Sequence, residues 1–224
     1  MPIPTAHRLV GQLLEIGLLE RSANRRIRIG VRMWELASRS QQVLSLREAA
    51  RPHLEDVQSV VKHHTQLGVL EGTDVLFLDL LSNKNAVVNI TTVASRLPIN
   101  SCSSGLVLLA FSSAEFQERV FTSHLSAMTT ATIIDPRELR RTLSQVRQQG
   151  FAISRGTVHA DAAGVAVPLR DKRKMVVGTI SVIVPNDQRH TSVAVPVLLA
   201  ASRGVARALG AHVKDDADDW ISRP

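Results

Sequence analysis

Apolar residues recur at helical spacing near the start of the chain. Leu9, Leu13 and Ile16 stand four and three positions apart, which is the spacing of one face of an α-helix. Pro4 suits the first turn of such a helix, where its missing N–H costs nothing, and Gly17 is placed to end it with a positive φ angle. A helix of about a dozen residues is marginal alone in water, so the predicted apolar stripe needs covering partners.

The residues after this helix alternate like two short strands. "LLERS" and "RRIRIG" flank the turn "SANR", which predicts a hairpin. Helix, glycine and basic hairpin is the order of a winged helix-turn-helix from its recognition helix onward, with the helix in the major groove and the hairpin along the backbone. A helical hairpin of another kind with a charged surface fits the same pattern. The predicted DNA-contacting residues are Thr5, Ala6, His7, Arg8, Gln12, Arg25, Arg26 and Arg28.

A helical connector and a mixed domain are predicted next. "VRMWELASRSQQVL" and "SLREAARPHLEDVQSVVKHH" have helical spacing, and Pro52 is expected to divide them. Strands are predicted at "VLFLDLL", "AVVNITTV", "FAISRGTV", "GVAVPLR" and "MVVGTISVIV". Helices are predicted at "SSGLVLLAF", after a capping box at Ser112, between Asp135 and Gly150, and over a long carboxyl-terminal stretch ending at Gly210. One sheet with helices before, between and after its strands makes an α+β sandwich.

The stretch "MVVGTISVIV" carries two hydroxyls within an apolar strand. Alternation predicts one face of Val177, Thr179, Ser181 and Ile183, and an opposite face of Val176, Ile180, Val182 and Val184. Buried hydroxyls need hydrogen-bond partners. Neighbouring backbone could supply them, and so could a ligand in a pocket.

Charge is concentrated at the amino end. The chain of 224 residues has a formal net charge of +7, and residues 1–32 hold six arginines against Glu15 and Glu20. Local arginine excess is typical of phosphate contact, although a solvated basic face has the same composition. Aromatic residues make up only 3% of the chain, so the stacking platform of a single-strand binder is poorly supplied.

Compartment and chemistry can also be read from single residues. Cys102 is the chain's one cysteine and cannot form an internal disulfide; with no export signal and only short apolar runs, a cytoplasmic protein without membrane contact is expected. An enzyme would use Cys102 as nucleophile, activated at a helix start, with His159 and Asp161 as base and orienter. A small buried thiol is the alternative. The adjacent His63 and His64 lack ligand spacing, so neither metal nor cofactor is expected.

Four ordered stretches give the chain a specific resemblance. "PTAHRLVGQLLEIGLLER" with "RIRIGVRMWELA", then "REAARPHLEDV", "TTATIIDPRELRRTLSQVRQQGFAISR" and "AAGVAVPLRD" with "VVGTISVIVP" resemble the IclR family of bacterial transcriptional regulators. The resemblance implies a partial winged helix-turn-helix over 1–31, a helical linker over 32–64, a GAF-like effector-binding and oligomerisation domain with an antiparallel sheet over 65–211, and a polar tail over 212–224. It also implies two helices ahead of the first one here. The chain is therefore expected to start inside the DNA-binding domain and, as written, to bind DNA poorly.

The resemblance also implies an effector pocket. Its positions fall on Ser103 and Ser104, on Gly164 and Ser181, and on Ile183, where some members have serine. Leu106 replaces a lysine that is common in the family.

Where the family often places an acidic residue, Ser154 and Arg155 stand instead. The pocket is therefore expected to lack the acid and to be more apolar on one wall. If Arg155 points inward, it would pair with the carboxylate of an aliphatic or aromatic acid, and nearby serines would bond its other oxygens. A surface position is the alternative for this arginine.

These features predict a transcriptional regulator that binds double-stranded operator DNA and senses a small organic acid. The effector would favour one arrangement of a homodimer or tetramer, and the connector would pass this bias to paired recognition helices. Ordinary interdomain packing is the alternative role for the connector. Two other functions remain open: a stand-alone effector-binding and dimerisation module that never contacts DNA, and a cysteine-dependent hydrolase.

Overall fold

The computed structural model describes residues 2–22, 24–38, 41–83 and 86–218. The chain divides into two compact units, Met1–Ser45 (unit 1) and Leu46–Pro224 (unit 2). The division falls inside the predicted linker, residues 32–64. Ala23 of the predicted turn and residues 219–224 of the predicted tail lie outside the described residues.

Unit 1 contains the predicted helix and hairpin. Its elements are α1 (Ile3–Glu15), β1 (Leu19–Arg21), β2 (Ile27–Ile29) and α2 (Val31–Ser38). Gly17, with φ of 73°, ends α1 as predicted: its N–H donates to the carbonyl of Leu14, and the N–H of Leu18 donates to that of Leu13. This pair of bonds is the Schellman motif, which satisfies carbonyls that the helix end leaves open. The strands pair antiparallel, with Leu19 opposite Ile29.

The apolar stripe of α1 remains uncovered within the described residues. None of the helix's residues is buried, and Leu9 and Ile16 are 39% and 48% exposed. This agrees with the expectation that such a helix needs partners to cover it.

The connector differs from its prediction at Pro52. A single helix, α3 (Gln41–Val61), runs through this residue. Pro52 lies on the exposed side, as does Glu48 four residues before it, while Leu54 and Val57 are buried. Proline removes one intrahelical bond, and the carbonyl that it frees here is on the side of the helix that water reaches. The helix therefore continues.

Unit 2 is built on a six-stranded antiparallel sheet. Its strands are β3 (His64–Glu71), β4 (Asp74–Leu81), β5 (Arg96–Pro98), β6 (Ala152–Arg155), β7 (Ala162–Arg170) and β8 (Val176–Pro185). Their order across the sheet is β5-β4-β3-β8-β7-β6. The predicted strand "AVVNITTV" is wrong: residues 86–93 form no strand, and their polar side chains bond to one another and to the sheet.

Helices cover both faces of this sheet. One face carries α4 (Ser103–Ala110), α5 (Ala114–Thr122) and α6 (Pro136–Gln149), and the other carries α3 and α7 (Gln188–Asp218). All of α4 is buried, as predicted. The α7 helix continues past the predicted end at Gly210. Its Gln188–Gly210 part is long and apolar enough to cross a bilayer, but Ala194, Leu198 and Val205 pack against the sheet as in a core helix.

Helix ends follow local chemistry, with one shift from the prediction. Asp135 caps α6 through the N–H of Arg137, and Gly150, with φ of 80°, ends it as predicted. The cap of α5 is Ser113, whose Oγ accepts from the N–H of Phe116, and not Ser112. The hydroxyl of Ser112 donates instead to the carbonyl of Leu109 at the end of α4.

A β-bulge in β4 changes which face its side chains occupy. Gly68 pairs with Phe77, whereas the preceding Leu67 pairs with Asp79, so Leu78 is an extra residue. Phe77 therefore packs on the α4 side, and Leu78 packs on the α3 side. Asp79 also faces α3 and is 2% exposed.

The Asp79 carboxylate anchors α3 to the sheet. It accepts from Nε of Arg47 at 3.1 Å and from Nη1 of Arg51 at 3.0 Å. Burial alone would raise the pKa of Asp79, but hydrogen bonds from Arg51, the N–H of Leu80 and Arg47 outweigh it and hold the pKa below its usual value.

A similar irregularity corrects the predicted faces of β8. Leu169 pairs with Gly178 and the next residue of β7, Arg170, pairs with Val176. Val177 consequently packs with the α3 and α7 core, and Val176 with Phe77 on the other face, the reverse of the prediction. From residue 179 to 184 the predicted alternation is confirmed.

Candidate functional site

A cavity lies between the sheet and the start of α4. Segment 86–91, which joins β4 to β5, forms part of its wall, and we call this segment the strap. The cavity is lined by Gln66, Phe77, Val88, Asn89, Ile90, Thr91, Leu97, Cys102, Ser103, Ser104, Ser154, Thr157, Val158, His159, Ala162, Gly164 and Ile183.

Five of the predicted effector residues line this cavity: Ser103, Ser104, Ser154, Gly164 and Ile183. The sheet register brings them together, because Gly164 lies opposite Ser154 on one side and Ile183 on the other. The hydroxyls of the three serines have no hydrogen-bond partner among the described residues. They are therefore available to a ligand.

Two further predicted residues lie elsewhere. Ser181 is 1% exposed and sits beneath the cavity opposite Gln66, and its Oγ has no partner in the described part of the chain. Arg155 takes the surface position that was the alternative for it, and not the inward one, because alternation along β6 turns it away from the cavity. Its guanidinium donates to the carbonyl of Asp187 at 3.2 Å and to Oγ1 of Thr191 at 2.8 Å.

Sequence reasoning missed the strap and its anchors. His64 and Gln66 alternate along β3 and bond to the strap: the His64 ring contacts the carbonyl of Val87 at 2.7 Å, and Nε2 of Gln66 donates to Oγ1 of Thr91. The one available signal was Asn89, a polar residue inside the apolar run "AVVNITTV".

The residues proposed for an enzyme do not form a catalytic group. Burial raises the pKa of the Cys102 thiol to about 12, against the opposing effect of the N–H groups of Gly105 and Ser104. A thiol with this pKa is almost wholly protonated at neutral pH and is a poor nucleophile. The nitrogen Nδ1 of His159 accepts from the backbone N–H of Asp161 at 3.4 Å, so that contact does not involve the carboxylate. Cys102 is the small buried thiol that the sequence analysis offered as the alternative to an activated nucleophile.

The walls of the cavity include one imidazole, that of His159, and the start of a helix. No Arg, Lys, Asp or Glu is among the described residues that line it. The first N–H groups of α4 have no carbonyl partner within the helix, so this end carries partial positive charge. A partial positive charge favours the binding of an anion. Ser103 and Ser104 stand at this start. The arrangement suits a small carboxylate with an apolar body.

In unit 1 the predicted DNA-contacting residues lie on two elements. His7, Arg8 and Gln12 are exposed on α1, whereas Thr5 and Ala6 are half-buried. Arg25 and Arg26 are exposed at the hairpin turn.

Arg28 is also exposed, but its Nε pairs with Glu20 across the hairpin at 2.7 Å. Arg32, which was not in the predicted set, donates to the carbonyl of Ile16 at 3.1 Å. That contact lies at the end of α1, where cations are favourable.

Comparison with known proteins identifies the family. Residues 39–211 match the family model described as bacterial transcriptional regulator IclR C-terminal. The chain belongs to the IclR family. The resemblance predicted from the sequence is confirmed, as is the α+β fold with an antiparallel sheet.

Solved IclR homologues resemble this chain over most of its length. An IclR homologue from Microbacterium hydrocarbonoxydans, complexed with 4-hydroxybenzoate, is 40% identical, with a TM-score of 0.88 over 94% of this chain and 87% of that one. An IclR homologue from Microbacterium sp. strain HM58-2 is 38% identical, with a TM-score of 0.72 over 94% and 86%.

A relative known by its sequence is the HTH-type transcriptional regulator KipR of Bacillus subtilis. It is 24% identical over 183 residues, which are 81% of this chain and 73% of that protein. These relatives are named as IclR homologues or transcriptional regulators, not as enzymes, and the present chain is an IclR-family transcriptional regulator.

Proposed function

We propose that this regulator binds operator DNA through unit 1 and that a small aromatic carboxylic acid in the unit 2 cavity controls the binding. The observation that carries the effector proposal is the cavity at the start of α4, with its three unpartnered serine hydroxyls. The complex of a 40% identical homologue with 4-hydroxybenzoate supports the same ligand class. The protein acts in the cytoplasm, where such acids are metabolised.

The shape of the wall favours an aromatic acid. Phe77, Leu97, Val158 and Ile183 offer apolar surface between the polar groups, which suits a flat ring. A carboxylate at the start of α4 gains the helix-end field and the hydroxyls of Ser103 and Ser104. The serine hydroxyls and the helix end thus take the role that was predicted for Arg155.

Exposed cations support the DNA-binding proposal. Arg8 on α1 and both Arg25 and Arg26 on the hairpin face solvent, where they are free to neutralise phosphates. Exposed polar side chains at His7 and Gln12 supply groups for base edges. A homodimer or tetramer would present two such surfaces to the half-sites of a palindromic operator.

The effector proposal is tested by calorimetric titration of 4-hydroxybenzoate. The matched ligand is 4-hydroxybenzyl alcohol, which keeps the ring and hydroxyl but lacks the carboxylate. Ser103→Ala combined with Ser104→Ala removes the hydroxyls at the helix start and should weaken the acid about tenfold or more, and the alcohol less, because the alcohol makes only neutral hydrogen bonds. Equal binding of acid and alcohol by the parent protein would exclude a carboxylate site.

The DNA proposal is tested by selecting duplexes from a random pool with the parent chain. Weak retention of a common sequence, with release or tightening on addition of the acid, is the expected result for this chain. If the acid binds but no duplex is retained, this chain acts as an effector-binding module alone.

A further inference from the structure

The strap carries a buried hydrogen-bond donor that no protein group satisfies. The Nδ2 atom of Asn89 is buried and has no partner among the described residues, although Asn89 lines the cavity. An unpaired buried amide donor costs free energy, so its position on the wall of a cavity points to a ligand acceptor.

A chain of hydrogen bonds fixes the orientation of this amide. The backbone N–H of Thr91 donates to Oδ1 of Asn89 at 3.1 Å, and Oγ1 of Thr91 donates to the same oxygen at 2.7 Å. Since a backbone N–H can only donate, the atom it meets must be the amide oxygen. Oγ1 of Thr91 in turn accepts from Nε2 of Gln66 on β3. The amide nitrogen is thereby held away from these partners.

The cavity has two polar ends on different strands. Gln66, which holds the Asn89 end, belongs to β3, whereas Gly164, beside Ser103 and Ser154, belongs to β7. One strand, β8, lies between β3 and β7. Two strand spacings, together with the two-residue offset between Ser181 and Ile183 to which they pair, separate these two backbone positions by about 12 Å. Ile183 of β8 lines the space between them.

We propose that Asn89 is a specificity-determining residue that donates from Nδ2 to an oxygen on the ring of the effector, at the end opposite the carboxylate. This inference rests on the proposed function, since the carboxylate is taken to lie at the start of α4. A benzoate with an oxygen in the para position has its two polar groups far enough apart to meet both ends. Benzoate itself leaves the amide donor unpaired.

The test compares benzoate with 4-hydroxybenzoate by calorimetry on the full chain. The parent protein should bind the hydroxylated acid about tenfold more tightly, the value of one neutral hydrogen bond to a buried donor. Asn89→Leu should bind both acids equally. Val88→Ala, which changes an apolar wall residue of the same strap, should weaken both acids without changing their ratio.

Asn89→Asp keeps the shape of the side chain and replaces the donor with an acceptor. Its preference should move from 4-methoxybenzoate, whose ether oxygen can only accept, to 4-aminobenzoate, whose amino group donates. Thr91→Val should reduce the preference of the parent for the hydroxyl, because the amide loses one of the two bonds that orient it.

The two ideas fail in different ways. If the parent protein prefers 4-hydroxybenzoate and Asn89→Leu keeps the same preference, the role of Asn89 is overturned while the effector class stands. An equal affinity of the parent for both acids also overturns it. If the parent binds no aromatic acid, the proposed effector class is wrong and the role of Asn89 with it.

Discussion

The hydroxyl oxygen of Ser103 lies 2.7 Å from the point where a Cβ atom would stand on Gly164. Ser154 Oγ lies 3.0 Å from the same point. Gly164 is thus the residue that allows two serine hydroxyls to approach the sheet at one end of the cavity.

Gly164→Ala should therefore weaken effector binding more than it weakens the fold. The added methyl group overlaps side-chain oxygens that can rotate aside, so we expect a stability loss of about 1 kcal/mol and about a tenfold loss of affinity for 4-hydroxybenzoate as the serines reorient. Thermal unfolding and calorimetric titration measure the two effects. Gly11→Ala is the control, since nothing lies within 4 Å of its added methyl group. Unchanged affinity in Gly164→Ala would contradict the assignment of this end.

Asp79→Asn should destabilise unit 2 by about 2 kcal/mol at pH 7, because it leaves Arg47 and Arg51 without their shared carboxylate. Since the folded pKa is lowered, the stabilisation is present above the unfolded pKa of about 4 and is lost as pH falls through the folded value. Urea unfolding at pH 7 and at lower pH should show the difference between parent and variant shrinking with acid.

The control for this prediction is Glu55→Gln. Glu55 also bonds Arg51, but its side chain is 58% exposed, so its removal should change the free energy of unfolding by less than about 0.5 kcal/mol. A similar loss in both variants would show that burial of Asp79 is not the source of its effect.

Cys102 should resist alkylation in the native protein. With its pKa raised to about 12 and 6% exposure, the thiolate fraction at pH 8 is on the order of one in ten thousand. Mass spectrometry after treatment with iodoacetamide should detect modification only when urea is added. Rapid native modification, or a burst with thiol-reactive esters, would revive the hydrolase alternative.

Arg25→Gln combined with Arg26→Gln should weaken binding to a selected duplex and lower its salt dependence. Two lost phosphate contacts reduce the slope of log K against log salt by about 2. Fluorescence anisotropy over a salt series measures this slope. Arg137→Gln with Arg141→Gln, a pair of exposed arginines on α6, is the matched control and should leave the slope unchanged.

Local chemistry made much of the fold predictable. Gly17 and Gly150 end their helices with positive φ, and Asp135 caps α6, because each effect depends on neighbours within one turn. The connector was mispredicted because the cost of Pro52 depends on which side of α3 it occupies. That side is set by tertiary packing.

The β-bulges and the shape of the strap could not be predicted from the pattern of apolar and polar residues. The extra residues Leu78 and Val177 exchange the two faces of a strand, and only pairing with the neighbouring strand reveals them. The apolar residues of "AVVNITTV" predict a strand where the structure has the strap. Its actual shape depends on hydrogen bonds to His64 and Gln66 of β3. These residues lie 23 and 25 positions before their partners Val87 and Thr91 in the chain.

The bulge at Leu78 changes which face of the sheet the odd-numbered side chains of β4 occupy. Before it, Val75 and Phe77 face the α4 side, where Phe77 lines the ligand cavity, and after it the odd-numbered Asp79 holds α3. Without the bulge, strict alternation of the same residues would place Asp79 on the face of Phe77, so that a carboxylate would face an aromatic acid and repel it. One inserted amino acid thus lets a short piece of backbone serve both the small molecule and the connector.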